Sequence, residues 1–317
     1  MKILIIGPPA FGYTKYIHNA LLKRNNIDAD IAYIDRSKFK YKNLAQRVEN
    51  FFRKTFLKQN IKVLFQDKVV LEKVNSKSEW DQILIIRPDL LANKTLLKIK
   101  TKTKKVLTIY YDSIRRFPRK GELISLFDEV YSYDKIDIDK YSLEFKTNYI
   151  FEETENQNYE YLFFNISSYD MRFESLTKIA NYIGSKGWSS KVLVFHPNPK
   201  FKIDNISKFL SLDNILRPVK DVSLLIQKAK IILDIQREDQ IGLSFRVFEA
   251  LGHKKKLITT NTDVVNYDFY HPQNILVLDL NNIEIPDDFV HSPYVLISDD
   301  ILDKYKIGNW TKELFKL

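Results

Sequence analysis

The chain has 317 residues, long for one hydrophobic core and enough for two domains of roughly 150 residues each. Hydrophobic residues make up 44% and charged residues 28%, a globular balance, and no run of ~18 apolar residues offers a transmembrane helix. The lack of cysteine removes disulfides, thiol catalysis and thiolate metal sites, while 50 Lys and Arg against 40 Asp and Glu leave a formal charge of +10 that suits an anionic partner. An AT-rich coding bias, visible in the abundance of Lys, Asn, Ile, Tyr and Phe, explains the same charge without a partner beyond a phosphate pocket.

The opening MKILIIGPPAFG is too short in its apolar run for a signal peptide and reads as a buried strand and a turn, so a cytoplasmic location is expected. In the first half, strands are expected at 2–6, 30–34, 82–86, 106–111 and 129–133, and helices at 13–24, 43–57 and 94–100. KILII and QILII are apolar on successive residues, the mark of parallel strands covered on both faces. The polar, aperiodic FEETENQNY at 151–159 reads as a linker. Beyond it strands are expected at 161–166, 192–195, 214–218, 231–235, 257–260 and 274–278, and helices at 173–183, 204–210, 222–228 and 244–251. The βαβα rhythm restarting after a linker argues two doubly wound α/β domains, in which ligands bind beyond the carboxyl ends of the strands.

The turn after the first strand, GPPAFGYTK, resembles a phosphate loop but lacks the required pieces. Gly12 is followed by Tyr13 rather than Lys, and Pro8 and Pro9 have no N–H to offer a phosphate. Gly7 and Gly12 are therefore expected to line the acceptor side. The histidines His18, His196, His253, His271 and His291 show no zinc spacing, and no metal site is expected. Asp137-Ile138-Asp139 has a D-x-D spacing but lies in a polar stretch, and reads as a solvated face.

The strongest signal runs from Ile232 to Asn261. A buried strand delivers Asp234, Gln236 and Arg237 to a loop; Gly242-Leu243-Ser244 opens a helix carrying Arg246 and Glu249; a second strand ends in Thr259, Thr260 and Asn261. A helix N-terminus with Ser244 near its cap suits a diphosphate, Arg246 adds charge, and a carboxylate one turn later suits the two hydroxyls of a ribose. A plainer reading exists: Phe245, Phe248 and Leu251 make an amphipathic helix, and Arg246 and Glu249 pair on its surface at i, i+3.

This block resembles the donor segment of GT-B glycosyltransferases (group 1-like), and more closely the CgeB-like group, whose G-x-S-x-R-x-F-E-A-L and following L-I-T are matched by Gly242–Leu251 and Leu257-Ile258-Thr259. The strand, small turn and Arg that open that group's C-terminal domain are matched by Asn165-Ile166-Ser167-Ser168-Tyr169-Asp170-Met171-Arg172, with weaker echoes at Arg87-Pro88-Asp89 and Tyr110-Tyr111-Asp112-Ser113. Ile241 stands where the group's first glutamate is usual, and Lys254, Lys255 and Lys256 replace a small-Pro segment.

The resemblance implies a GT-B-like chain of two facing Rossmann-like doubly wound domains with an interdomain cleft: 1–152 on the acceptor side, 160–300 holding the donor, and a helical tail at 301–317 packing back on the first domain. It implies transfer of a sugar from a nucleotide-sugar to a surface-glycan, lipid or protein acceptor, as in lipopolysaccharide or capsule biosynthesis, with no cofactor and no metal. Arg172, Arg246 and the Gly242–Ser244 helix start would neutralise the leaving diphosphate, helped by His196 and Lys200 beyond the strand at 192–195. Ser167, Ser168, Gln236, Arg237, Leu243, Glu249, Thr260 and Asn261 complete the donor set. Asp112 is the candidate acceptor-hydroxyl contact or base, and Arg115 and Arg116 begin a basic run suited to a phosphorylated acceptor.

Residues 38–57 place Leu44, Val48, Phe51, Phe52 and Phe56 on one helical side among Lys40, Lys42, Arg47, Arg53 and Lys54. Such a helix either packs its apolar side on the domain or lies on the inner face of an anionic membrane. Two rival functions remain: a non-catalytic GT-B-like subunit that binds a glycan or partner, and a basic nucleic-acid-binding protein. No nucleic-acid motif supports the latter, and no nucleic acid is expected as partner.

Overall fold

The computed structural model describes residues 1–57, 59–154, 158–204, 206–239 and 241–317. The chain divides into two units, Met1–Lys146 with Thr311–Leu317, and Thr147–Trp310. Of the expected linker at 151–159, residues 155–157 lie outside the described ones.

The first unit runs β1 (Lys2–Gly7), α1 (Tyr13–Leu22), β2 (Asp28–Tyr33), α2 (Leu44–Phe56), α3 (Ile61–Val74), β3 (Trp80–Ile86), α4 (Asn93–Lys100), β4 (Thr103–Tyr110), α5 (Arg119–Glu122), β5 (Glu129–Ser132), α6 (Lys135–Tyr141) and β6 (Glu144–Phe145). Its six strands are all parallel in the order β2-β1-β3-β4-β5-β6. Ile3, Leu4, Ile5 and Ile6 are all inaccessible, as are Ile83, Leu84 and Ile85 beside them, because helices cover both faces.

The second unit runs β7 (Tyr161–Ser168), α7 (Phe173–Ser185), β8 (Ser190–Phe195), β9 (Ser211–Asp213), α8 (Val219–Gln227), β10 (Ala229–Asp234), α9 (Phe245–Gly252), β11 (Lys256–Thr259), β12 (Ile275–Val277), α10 (Asp287–His291) and α11 (Asp299–Tyr305), and α12 (Ile307–Phe315) crosses the division. Its parallel sheet has the order β12-β11-β10-β7-β8-β9. Counted from β7 this is 3-2-1-4-5-6, the Rossmann order, whose switch point falls between β7 and β10. Phe163 and Phe164 of β7 and Ile231 and Ile232 of β10 fill the two layers of core on either side of the sheet.

Three expectations change. Helix α3 was not anticipated; Asn60 caps it by accepting the Lys62 N–H, and Val70 and Val74 bury against the sheet. The helix expected at 204–210 is absent among the described residues, of which 205 is not one. The strand expected at 214–218 lies earlier, at β9, where Asp213 pairs with Phe195. Pro218 instead caps α8, so Ile215 and Leu216 sit in an exposed loop.

Candidate functional site

β10 carries Asp234 to the end of the sheet, and its carboxylate builds the loop beyond. Oδ1 accepts the Ser244 hydroxyl at 2.8 Å and Oδ2 accepts the Thr259 hydroxyl at 3.0 Å. Ser244 caps α9 by accepting the Arg246 N–H at 3.1 Å. Thr260 Oγ1 accepts the Gln236 N–H at 2.9 Å, and Asn261 donates to the Ile241 carbonyl at 3.0 Å. Thus Ser244 and Thr259 hold the loop through Asp234, a residue given no role of its own by sequence reasoning, while Thr260 and Asn261 hold it through the Gln236 amide and the Ile241 carbonyl. Leu243 is buried in the core, and its carbonyl accepts the Asn148 amide at 2.8 Å.

On α9, Arg246 and Glu249 do pair, with Nη1 and Oε2 2.6 Å apart, but the pair is not a surface one. Their side chains are 17% and 3% exposed. Burial pushes the Glu249 carboxyl above its ordinary range, and the Arg246 charge opposes that only in part.

The carboxyl ends of β7 and β10 meet at the switch point, and one carboxylate joins them. Asp170 accepts two bonds from Arg172, at 2.9 and 2.8 Å, and a third from Arg237 Nη1 at 2.8 Å. Arg172 also donates to the Ile235 carbonyl at 3.3 Å, and Arg237 forks onto Asp239 at 2.9 and 2.8 Å. Burial raises the Asp170 pKa, but the bonds from Arg172 and the charge of Arg237 outweigh it, so the carboxyl stays below its ordinary value. Two guanidiniums are thereby oriented at the place where open α/β sheets take ligands. Asp170 was legible only as part of the motif around Arg172. Ser167 donates to Asn165 at 3.1 Å, and Ser168 is exposed at the strand end.

His196 and Lys200 stand one strand further out, beyond β8. The imidazole stacks on Phe201 with centroids 3.8 Å apart, and Tyr169 and Phe201 meet at 4.8 Å. Lys200 is exposed. The three lysines after α9 do different work: Lys255 donates to the Gln227 carbonyl at 2.9 Å and Lys256 to the Phe289 carbonyl at 2.6 Å, both buried and pushed down to about 8 by that burial.

A second buried group is a histidine to which the sequence assigns no role, because a lone histidine carries no pattern. His253, next to Gly252 where a Cβ would stand 2.2 Å from the Glu152 carbonyl oxygen, bonds to Thr154 at 2.7 Å and to Ser223 at 3.2 Å. Burial pushes its pKa from 6.5 down to about 4. Since the unfolded chain then binds the proton more tightly, stability is full above 6.5 and falls as pH drops toward 4. The expected loss is at most about 3 kcal/mol, and His253→Gln should flatten that limb in denaturant melts recorded across the window.

In the first unit Gly7 ends β1, and a Cβ there would meet Ile86 Cβ and Thr14 Oγ1 at 3.1 Å. Gly12, at φ +84°, turns the chain into α1, a conformation that favours glycine. Asp112 accepts Arg116 Nη1 at 2.6 Å, and Arg115 lies 3.7 Å from Asp134. Beneath Asp112 the buried Lys120 donates to its carbonyl at 2.9 Å, and burial pulls that amine down to about 8. Arg87, left-handed at φ 64°, forks onto Asp89 and lies 4.3 Å over the Phe117 ring. Asp137 is not solvated as expected: it is buried and accepts the Ile114 N–H at 2.6 Å, while Asp139 alone is exposed. Among the described residues no three His, Cys, Asp or Glu side chains are placed to hold a metal ion.

Two doubly wound units, the second in Rossmann order with paired guanidiniums at its switch point, define a GT-B-like fold. Solved structures share it. A DNA-modifying β-glucosyltransferase, determined with and without uridine diphosphoglucose, is 17% identical over 100% of both chains at a TM-score of 0.53. The S. aureus protein MnaA with UDP is 14% identical over 99% of this chain and 94% of that one, at 0.54. The Methanocaldococcus jannaschii UDP-GlcNAc 2-epimerase, with UDP-GlcNAc and UDP, is 15% identical over 100% and 99%, at 0.52. No protein-family model and no curated protein matches the sequence.

Proposed function

We propose that the chain is a CgeB-like glycosyltransferase that moves a sugar from a nucleoside-diphosphate donor to a glycan, lipid or protein acceptor without a metal ion. The observation that carries this is the Asp170 carboxylate shared by Arg172 and Arg237 across the β7–β10 switch point, beside the helix that holds Glu249. On this reading Arg172 and Arg237 leave Asp170 for the diphosphate oxygens, and their charge stabilises the leaving group as the glycosidic bond breaks. Glu249 accepts the ribose hydroxyls, the Arg246 charge opposes the rise that burial imposes on its pKa, and His196 with Lys200 borders the site. Asp112 takes the proton of the acceptor hydroxyl. The loop residues Ser244, Thr260 and Asn261 act by position. Support comes from the solved neighbours, which hold uridine diphosphoglucose, UDP or UDP-GlcNAc.

A second reading, epimerisation of a nucleotide-sugar, is favoured by the near-equal likeness to the epimerase, at a TM-score of 0.52 against 0.53. Thermal stabilisation by UDP-, GDP- and CMP-sugars, with and without chelator, selects the donor; a ligand at 100 times its Kd adds about 2.7 kcal/mol. Turnover of the best ligand then decides. Release of nucleoside diphosphate supports transfer, whereas an altered nucleotide-sugar with no diphosphate released supports epimerisation. Stabilisation that a chelator abolishes and manganese restores would rule out the metal-free mechanism.

A further inference from the structure

Helix α2 lies on the first unit with its polar side inward. Its buried residue is Asn50, whose amide donates to the Tyr41 hydroxyl at 2.6 Å and whose carbonyl oxygen accepts the Ile61 N–H at 2.8 Å. At 100° per residue, Leu44, Val48, Phe51, Phe52 and Phe56 fall on the opposite side within roughly 140° of arc. They are 75%, 54%, 65%, 52% and 73% exposed. A helix that only packs on a domain shows the reverse, apolar inward and polar outward. Phe52 stacks with Phe56 at 6.0 Å and meets Phe51 edge-on at 5.8 Å, so the rings form one continuous ridge.

Cations surround this ridge, most of them without an acidic partner among the described residues. Arg53 pairs with Glu49, but among the described residues Lys40, Lys42, Arg47, Lys54 and Lys62 make no ion pair. At the ridge's first turn Lys40, Arg47 and Lys62 line a cavity of about 540 Å³ together with Phe39, Tyr41 and Leu44. Arg47 and Lys62 both stand over the Tyr41 ring, 5.5 and 5.4 Å from its centroid. Leu44 belongs to cavity and ridge alike, so a phosphate among the cations would have hydrocarbon beside it. Nucleic acid offers the phosphate without the hydrocarbon. An anionic phospholipid offers both in that order from the surface inward.

We propose that α2 docks the chain on an anionic phospholipid bilayer, with its aromatic ridge at the headgroup–acyl boundary and a lipid phosphate among Lys40, Arg47 and Lys62. This goes beyond sugar transfer and does not depend on it. The test is co-sedimentation of the full chain with phosphatidylcholine vesicles and with mixed phosphatidylcholine–phosphatidylglycerol vesicles. Binding is expected to the mixed vesicles, weakening as salt is raised. Each cation near an anionic surface is worth about a factor of five, so Lys40→Ala/Arg47→Ala/Lys62→Ala should weaken binding on the order of a hundredfold. Phe51→Ser/Phe52→Ser/Phe56→Ser should weaken it at least as much, while circular-dichroism melts stay unchanged because those rings are exposed. No partition of the unmodified chain into anionic vesicles would overturn the proposal. So would binding indifferent to both variants, or self-association that the Phe variant disperses in a chain that ignores vesicles.

Discussion

Where Glu249 is ionised, Arg246→Ala is expected to lower the unfolding free energy by up to about 3–5 kcal/mol, because it strands the carboxylate in the interior with its one close cation gone. Val247, Phe248 and Ala250 around it are buried and supply no donor from their side chains. The loss has a pH signature. Burial holds the Glu249 pKa above 4.5 in the folded chain, so the native state takes up the proton first. Stability tied to this group is greatest below 4.5 and falls as pH rises through the folded value. The deficit of Arg246→Ala should therefore widen with rising pH and close near 4.5 in denaturant melts followed by tryptophan fluorescence. Glu249→Gln keeps the shape, removes the charge and should spare the fold. If the carboxylate accepts ribose hydroxyls, its charge-assisted bonds are worth roughly 1.5–3 kcal/mol, and donor affinity should fall about ten- to a hundredfold. A stability loss in Arg246→Ala with unaltered donor affinity in Glu249→Gln would make the pair purely structural.

If the chain transfers sugar as proposed, Arg172→Ala should lower kcat by roughly 10²–10³-fold and donor affinity by much less, since charge on a departing diphosphate grows toward the transition state. Arg172→Lys should recover only part of this: an ammonium keeps the charge but cannot fork onto Asp170 while reaching the Ile235 carbonyl. Initial rates at saturating and limiting donor separate the two parameters. A rise in KM at constant kcat would place Arg172 in ground-state binding instead.

What could be read in advance followed from local chemistry. Buried parallel strands announce themselves by consecutive apolar residues, as in KILII and QILII, and the β10–α9–β11 block by its Ser-capped helix between two such strands. The Rossmann order of the second sheet needs long-range pairing and is written in no single segment. The segment at 214–218 looked like a strand because it is apolar, yet Pro218 starts a helix and leaves Ile215 and Leu216 exposed. At the site, the sequence named Arg172, Arg237, Arg246 and Glu249 and offered the i, i+3 pairing of the last two, but not that this pair is buried or how the first two are held. That Asp170 bridges two guanidiniums, and that Asp234 rather than Ser244 is the centre of the loop, depends on residues far apart in sequence meeting at strand ends. Which side of α2 faces the domain is not written in its periodicity, which is the same in either orientation; its buried residue is Asn50 and its apolar side is exposed.

The most direct test of the account is amide hydrogen exchange of the chain with and without the nucleoside diphosphate that stabilises it most. Added protection is expected at 167–173 and 234–252, the ends of β7 and β10 and the whole of α9, and it should vanish in Arg172→Ala/Glu249→Gln. Protection confined to the first unit, or an equal response in that variant, would contradict a donor site at the β7–β10 switch point.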